Sequence, residues 1–291
     1  METKLIGLYL LICRPYDTQP VLKQHRLSNN HEPLFSDEEL LTMYLFGHLQ
    51  GFHEQRRIYQ YVRRHWHGWF PALPSYQAFN RRLNLLAPAF EQLIGNVLET
   101  AGGQLAPAAD RLIDSLPVML AKGSRSSRAR VASEVADKGF CASKSRYYYG
   151  VQLHTIALRR TARLPIPALF SLSRALQHDL SALRELNPAL GDGVLFGDKA
   201  DADAETKTVF AQRGTHLVTP YKRKRNEPMT AAPALWSRFV SGIRQPSEGF
   251  FGWLIQRTNI QNASRVRSTK GLFVHCYGKL AVACLLLTSY S

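Results

Sequence analysis

Residues 111–120, RLIDSLPVML, decide how this chain is read: Leu112, Ile113, Leu116 and Val118 make an apolar run of strand length, and a single carboxylate, Asp114, is set inside it. An uncompensated carboxylate in such a strand either costs several kcal/mol or becomes protonated, so Asp114 needs a reason to be there. It lies either at a site or on a half-exposed strand. Downstream, residues 122–145 are basic and rich in Ser and Gly and read as a loop. Residues 147–158, YYYGVQLHTIAL, and 164–171 then read as two further strands, compatible with an antiparallel meander. A helix over 180–186 leads to a strand at 194–196 that ends at Gly197-Asp198. A helix over 202–212 is stopped by Gly214 and followed by a strand at 216–219. From about residue 233 the chain reads as helix to its end, with Pro246 at a first-turn position. Three strands, then alternating helix and strand, then helices, make a mixed α/β core.

Upstream, residues 35–100 read as helices. Ser36 and Glu39 form a capping-box pattern ahead of Leu40, Leu41, Tyr44, Leu45 and Leu49 at helical spacing. A second helix fits 53–64, with Ile58, Tyr59 and Val62 inward and Arg56, Arg57, Arg63 and Arg64 outward. A third fits 76–86 and carries Arg81 and Arg82, and a fourth runs over about 88–98. Short helices with paired arginines suit helix-turn-helix-like DNA contact, or an ordinary bundle with solvated arginines. Ala101-Gly102-Gly103 marks the boundary between a helical region, 1–103, and a second domain, 104–291.

The chain has 291 residues with 37 Lys+Arg against 22 Asp+Glu, a formal charge of +15, so a polyanionic partner is expected. The excess gathers after residue 105, in Lys122, Arg125, Arg128, Arg130 and Lys144 and in the run Lys222-Arg223-Lys224-Arg225. Such clusters are the footprint of a phosphate backbone, whose neutralisation releases counterions. At 45% hydrophobic and 20% charged, the composition excludes a disordered tail protein. The four cysteines, Cys13, Cys141, Cys276 and Cys284, form neither a disulfide framework nor a CxxC zinc pair, which points to a reducing compartment. Residues 5–12 resemble a signal-peptide core, but Cys13-Arg14-Pro15 follows without a small-residue cleavage pattern, so a buried first helix is expected. The apolar run 280–287 is too short to span a bilayer, and no membrane association is expected of a cytoplasmic protein.

Two more acids stand where chemistry could use them. Asp198 closes an apolar strand behind Gly197, and Glu248 follows Pro246 beside Phe250 and Phe251. Converging on one sheet edge with Asp114, they could hold Mg²⁺. As turn and helix-start residues they would have ordinary explanations.

Residues 112–118 (LIDSLPV), 139–144 (GFCASK), 148–154 (YYGVQLH), 197–200 (GDKA) and 244–251 (RQPSEGFF) stand in the order of the bacterial insertion-sequence DDE transposases. The chain resembles that family over about residues 35–290, most closely the insertion-sequence group numbered nine hundred and eighty-two. The resemblance implies a ribonuclease-H-like mixed-sheet catalytic core preceded by an all-helical N-terminal DNA-binding region. It implies that Asp114, Asp198 and Glu248 are the catalytic metal ligands, holding two Mg²⁺ ions, for which Mn²⁺ can substitute. The implied activity is hydrolysis at the ends of the element followed by attack of the freed 3′ hydroxyl on target DNA, by a homodimer on double-stranded DNA at the bacterial nucleoid. Tyr149, His154, His178 and Asp179 match family positions close to the site, and Lys199, next to Asp198, joins the candidate DNA contacts. Asp201 stands where the family usually has an aromatic residue, and Ser247 where an aliphatic one is usual. These departures keep a second reading open, a transposase-derived protein that binds DNA without cutting it.

Overall fold

The computed structural model describes residues 1–18, 33–100, 109–141, 144–177, 179–188, 190–199, 203–223, 228 and 230–288. The chain divides into two compact units: residues 1–102 with 256–260 and 266–291, and residues 103–255 with 261–265.

The first unit is helical. Helix α1 (Glu2–Thr18) buries Leu5, Leu8, Ile12 and Tyr16 and leaves Ile6, Tyr9 and Leu10 exposed. Helix α2 (Asp37–Leu49) starts at the expected capping box: Glu39 N donates to Ser36 Oγ at 3.1 Å, and Ser36 N donates to Glu39 Oε2 at 2.7 Å. Caps of this kind are worth about 1 kcal/mol. Leu40, Leu41, Met43, Tyr44, Leu45 and Phe46 are all buried, so α2 is apolar around its whole circumference, as a central helix must be. Helix α3 (Gln55–His65) turns Ile58, Tyr59 and Val62 inward, and its approach to α2 requires glycine. A Cβ on Gly47 would lie 2.4 Å from Ile58 Cγ2. Helices α4 (Tyr76–Leu85) and α5 (Ala87–Thr100) complete the N-terminal part.

The second unit is built on one six-stranded mixed sheet. Strands β1 (Ala109–Lys122), β3 (Arg146–Leu158) and β4 (Ile166–Arg174) form the expected antiparallel meander, and β5 (Gly193–Phe196) and β6 (Thr215–Val218) extend it from the other side of β1 in parallel. Strand β2 (Asp137–Cys141) lies in the stretch read as loop. It pairs with the first part of β3, and β4 pairs with the rest of the same edge. With only two apolar residues in five, β2 gives no strand signal apart from its partner.

Both faces of the sheet are covered. Ile113, Ile156, Leu195 and Leu217 pack against Leu183 of α6 (Asp179–Leu186) and Phe210 of α7 (Ala204–Ala211). On the other face Leu112 and Phe196 pack against Val240 and Ile243 of α8 (Ala231–Thr258). Burial from both sides explains why β1 reads as a nearly continuous apolar run. Pro246 lies inside α8 rather than in a first turn, because the helix begins at Ala231. It therefore withholds one intrahelical N–H just beside the residues described below.

The last helix, α9 (Thr269–Thr288), belongs with the helical unit rather than with the sheet, which moves the expected boundary of the second domain. Its physical reason is apolarity on all sides: Leu272, Val274, Cys276, Leu280, Ala281, Val282, Ala283, Cys284 and Leu285 are buried. It packs on α5, α2 and α4. A Cβ on Gly278 would lie 2.6 Å from Tyr44 Cε1. By length and composition α9 could cross a membrane, although 67% of its most apolar window is buried inside the protein.

Candidate active site

Strand β1 runs past its neighbour. Its parallel pairing with β5 stops at Leu112–Phe196, so from Ile113 onward one edge of β1 is without β5. The chain supplies other partners to the N–H groups on that edge. Ser115 N donates to the Asp114 carboxylate at 2.9 Å, Pro117 has no N–H, and Met119 N donates to Gln261 O at 2.8 Å. The opening lies beyond the carboxyl end of β5, where α/β sheets commonly bind ligands. Asp114 enters it from β1. Asp198 enters it after Gly197, whose N–H continues the ladder to Val218 O at 2.9 Å.

A residue of α8 joins them. Arg244 Nη1 lies 3.6 Å from Asp198 Oδ1, and Arg244 Nη2 lies 3.9 Å from Asp114 Oδ1. These are ion pairs beyond hydrogen-bond length. The Arg244 side chain is 16% exposed, that of Asp114 25% and that of Asp198 57%. Arg244 Nε is buried and has no hydrogen-bond partner among the described residues. One turn further along α8, Ser247 Oγ lies 2.7 Å from Asp114 Oδ2 and 2.8 Å from Arg244 O. Asp198 Oδ1 accepts from Lys199 N at 2.5 Å. Two carboxylates from neighbouring parallel strands thus share one cation, and each accepts a backbone N–H.

Glu248 is four residues beyond Arg244, on the flank of the same helix side, with its side chain exposed. Ser247, which is buried, is the neighbour that reaches Asp114. Among the described residues no group of three or more His, Cys, Asp or Glu is gathered to hold a metal. The aspartates are the residues here that could hold a divalent ion of the magnesium type, which needs only one or two carboxylates and water. Arg244 already marks the point between them that a cation favours.

Strand alternation separates the supporting residues. His154 pairs with Ser115 and Asp114 with Thr155, so His154 is on the opposite sheet face from Asp114. There it is buried, with Nε2 2.7 Å from Ser173 Oγ, on the face where Tyr148 donates to Gln152 and Gln152 to Ser115 Oγ. Tyr149 shares the Asp114 face but sits further along β3, opposite Ala121. Its hydroxyl has no hydrogen-bond partner among the described residues, and burial pushes its pKa up. Asp179 begins α6, while His178 and Asp201 lie outside the described residues.

The basic candidates divide as well. Arg56, Arg57, Arg63, Arg64 and Arg81 are exposed on α3 and α4. Arg82 is turned inward: it donates to Phe35 O and pairs with Asp37 Oδ1 at 2.5 Å, and so pins α4 to the start of α2 instead of facing solvent. Lys122, Arg125, Arg128 and Arg130 are exposed where β1 ends, and Lys199, Lys222 and Arg223 are exposed. Lys144 donates to Gln261 Oε1, and Lys224 and Arg225 lie outside the described residues. Sequence reasoning missed Arg244 and Ser247 as site residues. Their i, i+3 spacing on a helix that also carries Glu248 was the available signal. No family model, curated protein or solved structure matches the chain.

Proposed function

We propose that this protein is a DDE-type transposase with a ribonuclease-H-like core, in which Asp114 and Asp198 are catalytic carboxylates and Glu248 completes the set. The observation that carries the reading is the convergence of Asp114 and Asp198, from neighbouring parallel strands, on one cationic group. The strand arrangement supports it: antiparallel β4–β3–β1 continued by parallel β1–β5–β6 is compatible with a ribonuclease-H-like sheet to which β2 is added as a hairpin strand.

Asp114 and Asp198 would hold Mg²⁺ or Mn²⁺, which when bound activates the attacking oxygen and stabilises the leaving oxygen of a phosphodiester. The chain itself orients the acids. Ser247 holds one oxygen of Asp114 and Ser115 N the other, while Lys199 N fixes Asp198. Arg244 keeps the two carboxylates facing each other, and its planar fork is suited to phosphate oxygens when DNA is present. The exposed basic residues of α3 and of residues 122–130 would neutralise the duplex backbone. Joining two element ends calls for a homodimer on DNA.

The test is cleavage and strand transfer on a labelled duplex carrying the element's end, in Mg²⁺ or EDTA. Asp198→Asn should abolish cutting and leave DNA affinity equal or higher, because it removes a metal ligand and a negative charge near phosphate. A normal cutting rate in this variant would refute the assignment. The seating of Arg244 between the acids, with Glu248 exposed, also favours the second reading of a DNA-binding descendant. That reading expects binding that survives EDTA and no cutting in either metal.

A further inference from the structure

The β2–β3 hairpin presents an aromatic pair that the proposed chemistry does not use. Phe140 is 56% exposed and Tyr147 57%, large rings that a protein ordinarily buries. The strand register sets them directly opposite each other, with ring centroids 5.1 Å apart in an edge-on arrangement. Lys138 Nζ lies 4.9 Å from the Tyr147 ring centroid. The back of this ribbon is clamped: Cys141 and Tyr148 pack with Met119 and Ala175, and a Cβ on Gly139 would come within 2.8 Å of Ala175. The rings therefore stand on a fixed ribbon.

The surroundings are basic. Lys138 shares the face of the two rings, and the turn Gly123–Ser127, with exposed Arg125, packs on β3, while exposed Arg146 pairs with Cys141 on the other face of the ribbon. Cores of protein–protein interfaces are depleted in lysine, whereas aromatic rings among cations are the pattern of single-stranded nucleic acid sites. Only an unpaired base offers its face to such rings, because bases within a duplex are already stacked on one another.

We propose that Phe140 and Tyr147 form a stacking platform for an unpaired DNA base, with Lys138, on the same face of the ribbon, on the adjoining phosphate. The inference rests on the proposed function to the extent that DNA is the polymer handled. It adds a single-strand site that duplex-backbone binding does not require.

The experiment compares the full-length protein with Phe140→Ala/Tyr147→Ala and with Tyr147→Phe, by fluorescence anisotropy on a labelled single strand of about 16 nucleotides and on the matching duplex. A single 2-aminopurine in the strand reports stacking, and thermal melting shows that the variants are folded. The double variant should lose about tenfold or more in single-strand affinity, together with the 2-aminopurine quenching. Its duplex affinity should change by less than about twofold, and Tyr147→Phe should behave as wild type. Unchanged single-strand affinity, an equal loss on both polymers, or no single-strand binding by the wild type would each overturn the platform. Cleavage assayed on the same preparations separates the two ideas. Selective single-strand loss without any metal-dependent cutting would sink the transposase reading and keep the platform, and cutting without selective loss would do the reverse.

Discussion

Replacing Arg244 by glutamine removes the cation that pairs with both Asp114 and Asp198 and leaves a neutral side chain of similar reach. At 3.6 and 3.9 Å, and with an effective dielectric of about 20, each pair is worth roughly 4 kcal/mol in Coulomb energy before desolvation. Most of that is offset. Asp198 is 57% exposed, so its pair falls to the surface value of about 0.5 kcal/mol, and the better-buried Asp114 pair contributes about 1 kcal/mol. Arg244→Gln should therefore cost about 1–2 kcal/mol in EDTA, a fall in Tm of about 2–8 °C for a domain of this size. The sign then reverses for metal. In the wild type a divalent ion must displace the guanidinium, whereas in the variant the two carboxylates have lost that competing cation, so Mn²⁺ affinity should rise by about 5- to 30-fold. The assays are calorimetric Mn²⁺ titration and melting with and without Mg²⁺, which should restore the variant more than the wild type. Equal melting in EDTA together with unchanged or weaker Mn²⁺ binding would refute the argument, because Arg244 would then not be competing for the aspartates.

Two further outcomes follow from the helical unit. Burial, only partly opposed by Cys276 and Glu54, pushes Lys279 down to about 7, and its Nζ donates to Asn259 O. A lysine that is neutral in the folded chain and protonated in the unfolded one weakens the fold, so stability should rise as pH goes from about 7 towards 10.5. Denaturant midpoints for Lys279→Met should lose that rise; a retained slope would exclude Lys279 as its source. Arg82→Met, which removes the cation paired with the buried Asp37, should destabilise by about 3 kcal/mol, whereas Arg81→Met should change stability by less than about 0.5 kcal/mol. Similar urea midpoints for the two variants would show that the Arg82–Asp37 pair is not structural.

The adjacent arginines show where sequence reading reaches its limit. Arg81 and Arg82 are identical in type and adjacent on α4, a helix that turns Phe79 and Leu83 inward. What separates them is Asp37, which arrives from a helix 45 positions away in sequence. Local elements were legible for the opposite reason. The Ser36–Glu39 box, the apolar spacing of α2 and the alternation in β3 are set by neighbours within a turn or a strand, and the boundaries fell within a few residues of the structure. Strand β2 was not legible, because its pairing with β3 and the packing behind Gly139 are tertiary.

The site divides along the same line. Asp114 stood out because a carboxylate inside an apolar strand costs free energy, and that cost is visible in the strand's own residues. Arg244 did not stand out, since an arginine on a helix in so basic a chain costs nothing until the helix is docked. Once docked, it is only 16% exposed, with Nε buried and without a hydrogen-bond partner among the described residues and the acids beyond hydrogen-bond length. A guanidinium so incompletely satisfied is held by charge and not by directed bonds. It can therefore leave the carboxylates at small cost when a stronger cation or a phosphate offers better geometry. That property cannot be read from the residue's type. It depends on which strands end beside it, and here the early end of β5 leaves Asp114 and Asp198 facing a gap.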